Sequence, residues 1–316
     1  MIKNIGIIGV GGVGGYFGGK LCQLLPSKQD LQIYFIARGQ HLAEIKRNGL
    51  YLSTAEEGDM TCNPTHATDS FNELPTLDLC LLCVKSYDLD NVLTNIKNKI
   101  SDKTLILPLL NGIDIYERIR EIIDTGIVFP SCVYVGTYIE KYGKVTQKGG
   151  ACKILFGKDI RHQEFIPDEI FDLFKKSKIK YEWFDNPYQA IWGKYIFIAS
   201  FGLVTACFNK TVGEVMDSKE LSSYVLSIMK EIVSLADKKS IALPKTIIEN
   251  SFNKGKNFPY HTKTSFQRDF ECFNKPDERD LFGGTIIRLG RLLNIDTPTT
   301  DLIFNKLDHI KSITMA

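Results

Sequence analysis

The stretch GVGGVGGYFGG, residues 9 to 19, carries seven glycines in eleven positions and follows directly on the apolar run IGII. A glycine cluster between a strand signal and a helical segment forces the backbone to turn sharply and lets another group approach closely. Further along, short apolar runs alternate with amphipathic segments. The runs are NIGIIG, LQIYFIA, LDLCLLCV, TLILPLL and IVFPSCVYV; the helical segments are Val13 to Leu25, His41 to Asn48, Leu89 to Ile100 and Ile113 to Ile123. Strands that are apolar throughout and separated by helices belong to a parallel sheet covered on both faces, so the expected fold class is α/β with a doubly wound sheet. From Gly136 the segment GTYIEKYGKVTQKGGACKILFGK reads as a pair of hairpins, and IKYEWFD as a short closing strand.

The turn-rich DNPYQ, Asp185 to Gln189, marks the expected boundary. Beyond it, strand signals are few and helical periods recur, as in LSSYVLSIMKEIVSLADKK and GGTIIRLGRLLN. The chain therefore divides into residues 1–185 and an all-helical 186–316, with a ligand cleft expected between directly packed halves. The apolar run from Tyr195 to Phe208 would rise only about 21 Å as a helix, short of a bilayer core, and fits a buried core helix. No export signal is evident at the N-terminus, so a cytoplasmic location is expected, with no membrane partner. The 39 basic and 37 acidic residues are well mixed, which argues against nucleic acid as a partner. The eight cysteines read as reduced thiols. Cys80 and Cys83 have CxxC spacing but lie in an apolar strand, where positions three apart face opposite sides; they are read as structural, and no metal site is expected.

Gly9, Gly11 and Gly14 stand in GxGxxG register. In a dinucleotide site the first allows the turn, the second admits a pyrophosphate, and the third lets helix and strand close together. The N–H groups at the helix start, around Gly12 and Val13, then face the phosphates. A glycine-rich turn without a ligand is the alternative. NAD binders place an acid at the end of the second strand, but here FIARGQH puts Arg38 there, suited to a 2′-phosphate; NADP is favoured over NAD. A solvated arginine after a strand is the plainer reading. Lys85 in CVKSYD and Asn111 in LLNGID lie at two more strand ends on the same side. Lys85 could equally be a surface lysine and Asn111 part of a turn. In IWGKYIFIASFGLVTA, Lys194 heads a helix that is apolar nearly all round. Lost hydration there would move its pKa towards neutrality and suit it to general acid work, unless the side chain snorkels to water.

Taken together, GVGGVGG, ARGQH, CVKSYD, LLNG, WGKYIF and TSFQRDF…KPDERDLFGGTIIRLGR…IDTPTTD resemble, in order, the ketopantoate reductase (2-dehydropantoate 2-reductase) family over nearly the whole chain. The resemblance implies an N-terminal Rossmann-type domain, a C-terminal helical substrate and catalytic domain, and NADPH-dependent reduction of a 2-keto acid to a 2-hydroxy acid. It implies Lys194 as proton donor, and Glu278, with Asp277 as competitor, as the acid that holds substrate. By the same resemblance Ser265 contacts substrate, Asn111 sits near nicotinamide and substrate, and Lys85 lies on the cofactor phosphate side. Members of that family often carry asparagines four and eight residues after the lysine. Here Ile198 and Gly202 stand in those places, so a branched or aromatic 2-keto acid is an alternative substrate and a non-catalytic NADP(H) sensor an alternative role. The sequence leaves oligomeric state open, a homodimer being one option.

Overall fold

The computed structural model describes residues 1–315. They group into two compact units, residues 1–111 with 115–187, and residues 112–114 with the chain from 188 onward.

In the N-terminal unit the elements run β1 (Asn4–Ile8), α1 (Gly12–Cys22), β2 (Gln32–Ile36), α2 (Gly39–Asn48), β3 (Leu50–Thr54), β4 (Gly58–Cys62), β5 (His66–Thr68), β6 (Leu79–Leu82), α3 (Leu89–Ile96), β7 (Leu105–Pro108), α4 (Ile115–Ile122), β8 (Ile127–Val128), β9 (Ser131–Tyr134), β10 (Thr137–Lys141), β11 (Lys144–Gln147), β12 (Lys153–Gly157), α5 (Asp168–Lys176) and β13 (Lys180–Phe184). A six-stranded sheet has the order β5-β2-β1-β6-β7-β8, with every neighbouring pair parallel. This is the doubly wound α/β sheet that the apolar runs predict. Its central strands are buried throughout except for Asn4 at the start of β1, as a sheet covered on both faces requires.

Two smaller sheets depart from the sequence reading. The run IVFPSCVYV is two strands: β8 ends the large sheet, Pro130 cannot donate to a ladder, and β9 leaves to pair antiparallel with β12. Of the expected hairpin pair only β10–β11 forms; β12 pairs with β9 and β13 instead. The hairpin β3–β4, absent from the reading of apolar runs, joins β10 and β11 in a four-stranded sheet of order β10-β11-β3-β4. Its strands are half polar because only one face is covered: Leu50 and Leu52 are buried while Tyr51 between them is exposed.

Helix α1 lies between these two sheets, which accounts for glycines that the GxGxxG register leaves unexplained. A Cβ on Gly18 would meet Phe35 and Ile7 of the large sheet at 3.0 and 3.1 Å. On the opposite side, a Cβ would stand 2.8 Å from the Thr137 carbonyl oxygen at Gly12, 2.7 Å from Val145 at Gly15 and 3.0 Å from Leu52 at Gly19. Gly12, Gly15 and Gly19 fall on one helix face and Gly14 and Gly18 on another, so α1 presents a smooth surface to each sheet.

The C-terminal unit contains α6 (Tyr188–Phe208), α7 (Val212–Asp217), α8 (Lys219–Lys238), α9 (Ile247–Asn253), α10 (Ser265–Phe270), a π-helical turn (Asp280–Gly284), α11 (Thr285–Leu293) and α12 (Pro298–Met315). Among its described residues there is no strand. Helix α6 is longer than the apolar run that signals it, because the more polar Tyr188–Lys194 segment belongs to the same helix; its 21 residues rise roughly 31 Å. That length and composition would cross a membrane, yet 78% of the apolar window is buried inside the unit, as in a core helix. Glu231 of α8 caps α12 from outside, accepting from the N–H groups of Thr299 (2.7 Å) and Thr300 (3.0 Å) and from the Thr300 hydroxyl (2.6 Å).

The π-turn is tied to α6 by Tyr195, which is 1% exposed. Its hydroxyl lies 2.7 Å from the Leu281 carbonyl and 2.9 Å from that of Phe282 and donates into this pair. A π-turn displaces carbonyls from the regular ladder, and turns of this kind cluster at functional sites. Tyr195→Phe should lower stability by about 1–3 kcal/mol, the cost of leaving buried carbonyls short of a donor, read out by denaturant unfolding. An unchanged midpoint would mean the hydroxyl is not holding the turn.

Candidate nucleotide cleft and active site

A cleft of about 310 Å³ opens at the carboxyl ends of β1, β2 and β6 in the N-terminal unit. Gly9 begins it with φ +93°, a conformation that side chains beyond glycine rarely adopt. The N–H groups of Gly9 and Val10 both donate to the Ile36 carbonyl, at 3.0 and 3.1 Å, which pins the loop to the end of β2. Gly11 is the N-cap of α1 and brings no side-chain cap, so the first N–H groups of an eleven-residue helix start from a residue with no side chain. A Cβ at Gly11 would meet nothing within 4 Å, whereas one at Gly14 would collide with the Gly9 carbonyl oxygen. The two glycines therefore do different work: Gly14 closes the loop, and Gly11 keeps space open in front of the helix terminus.

Gly9, Gly11, Arg38 and Lys85 all line this cleft. Gly12, Val13 and Gly14 lie behind it as the opening residues of α1. Asn111 follows β7 in a strand-to-helix connection, with Gly112 at φ +126° and α4 beginning at Ile115. Arg38, the N-cap residue of α2, has a largely exposed side chain whose Nη2 lies 2.6 Å from Oδ2 of Asp88. His41, Asp69 and Asp88 also line the cleft and were not singled out from the sequence. The available signal was position: His41 stands three residues after Arg38, and Asp88 three after Lys85.

The buried His41 accepts a hydrogen bond at Nδ1 from the Gly143 N–H (3.0 Å), so its proton resides on Nε2. Burial pushes its pKa below the ordinary 6.5, and the Val10 carbonyl opposes this only in part. The neutral ring thus joins α2 to the β10–β11 turn. Burial also pushes the thiols of Cys80 and Cys83 well above their usual range, in keeping with a structural role. No group of residues with metal-ligating geometry occurs among the described residues.

In the C-terminal unit Lys194 is 8% exposed and lies in the second turn of α6. Ile198, Gly202 and Thr205 follow it on the same helix face. Thr205 meets the hydroxyl of Thr264 at 2.9 Å; Thr264 caps α10, and Ser265 is that helix's first residue. A Cβ on Gly202 would rest in ordinary contact with Phe266, at 3.5 Å. Glu278, 4% exposed, lies two residues before the π-turn that Tyr195 holds. Its neighbour Asp277 is engaged elsewhere: Oδ1 accepts from the Arg279 backbone N–H (3.0 Å) and Nε (2.9 Å), and Oδ2 lies 3.2 Å from Lys311 Nζ. Asp280 pairs with Arg288 of α11.

Residues 5–159 match the sequence profile of "Ketopantoate reductase PanE/ApbA", and residues 186–311 that of its C-terminal part. The chain belongs to the ketopantoate reductase family. Among its relatives is the uncharacterized oxidoreductase YkpB of Bacillus subtilis (strain 168), 24% identical, the match covering 95% of this chain and 96% of that one. A 2-dehydropantoate 2-reductase from Porphyromonas gingivalis W83 is similar in structure, with 27% identity, a TM-score of 0.81, and coverage of 97% of this chain and 99% of the other. The same fold occurs in a D-mandelate dehydrogenase solved with NADH and anilino(oxo)acetate, at 20% identity and a TM-score of 0.84, covering 99% of this chain and all of that one. This ketopantoate reductase family member is an oxidoreductase of the 2-keto acid reductase type, and its cofactor is a nicotinamide dinucleotide.

The cleft fits that cofactor on its own geometry, since the space in front of Gly11 is where a pyrophosphate would come closest to the α1 terminus. Gly11→Ala should keep the thermal midpoint near that of the native enzyme while weakening nucleotide binding about tenfold or more, through the methyl placed in that space. Gly14→Ala should fail to fold normally; equal stability of the two variants would contradict this division. His41 supplies a pH dependence. Its folded-state pKa is depressed, so its contribution is complete above about pH 6.5 and is lost as pH falls below that value. Unfolding followed between pH 7.5 and 5.5 should show the enzyme weakening, and His41→Asn, which keeps an acceptor for Gly143 but cannot be protonated, weakening less.

Proposed function

We propose that this enzyme reduces 2-dehydropantoate to pantoate with NADPH, the N-terminal unit holding the dinucleotide and the C-terminal unit the substrate and the proton donor. The observation that carries the reading is the presence, within one helical unit, of two ionisable side chains each more than nine-tenths buried: Lys194 on α6, and Glu278 close before the π-turn that the adjoining Tyr195 secures. Lysine and glutamate are seldom buried to this extent unless they are paired or serve chemistry.

When bound, the reduced nicotinamide supplies a hydride to the keto carbon. Lys194 donates the proton that neutralises the oxygen as negative charge gathers there, a stabilisation stronger in the transition state than in the ground state. Glu278 accepts a hydrogen bond from a substrate hydroxyl and orients the molecule, while Asp277 is held by Arg279 and Lys311. Ser265, at the start of α10, contacts substrate. Asn111 orients the carbonyl or carboxylate near the nicotinamide. Gly9, Gly11, Gly12, Val13 and Gly14 hold the pyrophosphate, and Arg38 and Lys85 lie on the phosphate side.

A second reading keeps the chemistry and changes the acid. Ile198 and Gly202 follow Lys194 on one face of α6, with Phe266 beside Gly202, so the wall offers apolar contact where a polar side chain would bond to hydroxyls. This favours a branched or aromatic 2-keto acid, and the fold it shares houses a D-mandelate dehydrogenase.

Lys194→Ala should lower kcat by about two orders of magnitude or more, as expected for a positioned general acid, while nucleotide binding persists. Glu278→Gln should act mainly on KM. NADPH oxidation with 2-dehydropantoate and with a panel of branched and aromatic 2-keto acids decides between the substrates. Unchanged turnover in the Lys194 variant sinks the proton-donor assignment, and nucleotide binding without turnover of any acid in the panel would leave a sensor.

A further inference from the structure

Asp88 occupies the N-cap position of α3, yet its side chain caps no helix N–H. It turns instead to Arg38, with Oδ2 2.6 Å from the guanidinium, inside the cleft that Gly9 and Gly11 open. Resting on the reading of that cleft as a dinucleotide site, we propose that Asp88 is a specificity-determining residue: it tempers the preference for a 2′-phosphate and lets the enzyme use NADH as well as NADPH.

The charge balance and the geometry point the same way. Arg38 and Lys85 line the cleft together with Asp69 and Asp88, so two cations face two carboxylates and the formal charges cancel. A 2′-phosphate carrying nearly two negative charges must draw Arg38 from Asp88 or share it, with a carboxylate left a few ångströms from the phosphate. Ribose hydroxyls meet the opposite situation. A carboxylate is their preferred acceptor, and NAD binders supply one from the end of the second strand. Here Arg38 follows two residues after the second strand, and the acid reaches the same place from the segment after β6. One pair of residues therefore offers a donor to a phosphate and an acceptor to a diol, each at some expense of the other. Neutralising the carboxylate while keeping its shape should unbalance it.

The test is direct binding, read from nicotinamide fluorescence, of NADPH and of NADH to the native enzyme, to Asp88→Asn and to Asp88→Ser, at one ionic strength. The native enzyme should bind the two within about tenfold of each other. Both variants should bind NADPH severalfold tighter and NADH severalfold weaker, so that the ratio of dissociation constants moves by about tenfold or more. Binding of both nucleotides with a ratio that neither variant moves would overturn the role of Asp88 and leave the cleft assignment standing. Failure of the native enzyme to bind either nucleotide would overturn the cleft assignment and this inference with it. Asp88 is half-buried, its side chain pairs with Arg38, and its backbone N–H bond to the Lys85 carbonyl (3.0 Å) does not involve the side chain, so both variants are expected to fold, as circular dichroism can verify.

Discussion

The N-terminal unit depends on how closely α1 approaches two sheets at once. The helix has five glycines in its eleven residues, which is costly in isolation because each glycine weakens a helix by about 0.5–1 kcal/mol relative to alanine. Close packing offsets that cost. With no side chains on the contact faces, the helix backbone comes against β1 and β2 on one side and β3, β10 and β11 on the other. The position of the helix start then follows, and with it the cleft, because the open N–H groups at Gly11 and the turn at Gly9 are fixed by the same seating. The small sheet is therefore part of what places the cleft, although it supplies few of the cleft's lining residues. His41 extends this arrangement as a neutral ring hydrogen-bonded to the β10–β11 turn.

In the C-terminal unit the organising contact is the Tyr195 hydroxyl against the π-turn. Consecutive residues on α6 divide two tasks: Lys194 brings an ammonium to a nearly closed environment, and Tyr195 anchors the backbone next to Glu278. A regular α-turn would satisfy the Leu281 and Phe282 carbonyls within its own ladder. The π-turn instead makes them available to a side chain from another helix, so the geometry near Glu278 is set by tertiary contact. Of the two adjacent acids, Asp277 is held by Arg279 and Lys311 as a structural anion.

Much of this was legible from residue order. The parallel sheet could be read because its strands are apolar on both faces, and Arg38, Lys85, Gly9 and Gly11 were legible as strand-end or loop residues on one side of such a sheet. The hairpin β3–β4 was not, since a one-sided strand such as LYLST mixes polar and apolar residues and its burial is defined only by α1 lying over it. The split at Pro130 shows a similar limit, because an apolar run records burial and does not record which sheet provides it. His41 and Asp88 escaped notice because a polar residue at the start of a helix usually faces water, and nothing in the local sequence tells that the first is buried and the second turns to Arg38.

What the sequence determined by itself is the alternation that winds the first sheet, the glycine turn that ends its first strand, and the helical character of the second half; these are local periodicities that backbone geometry converts directly into elements. Only the tertiary structure decided which glycines seat α1 against the two sheets and which leaves space before the helix terminus, which of two adjacent acids is held by Arg279 and Lys311, and that the arginine after the second strand has a carboxylate for a neighbour. Each of those depends on a residue distant along the chain, and distance along the chain is what folding removes.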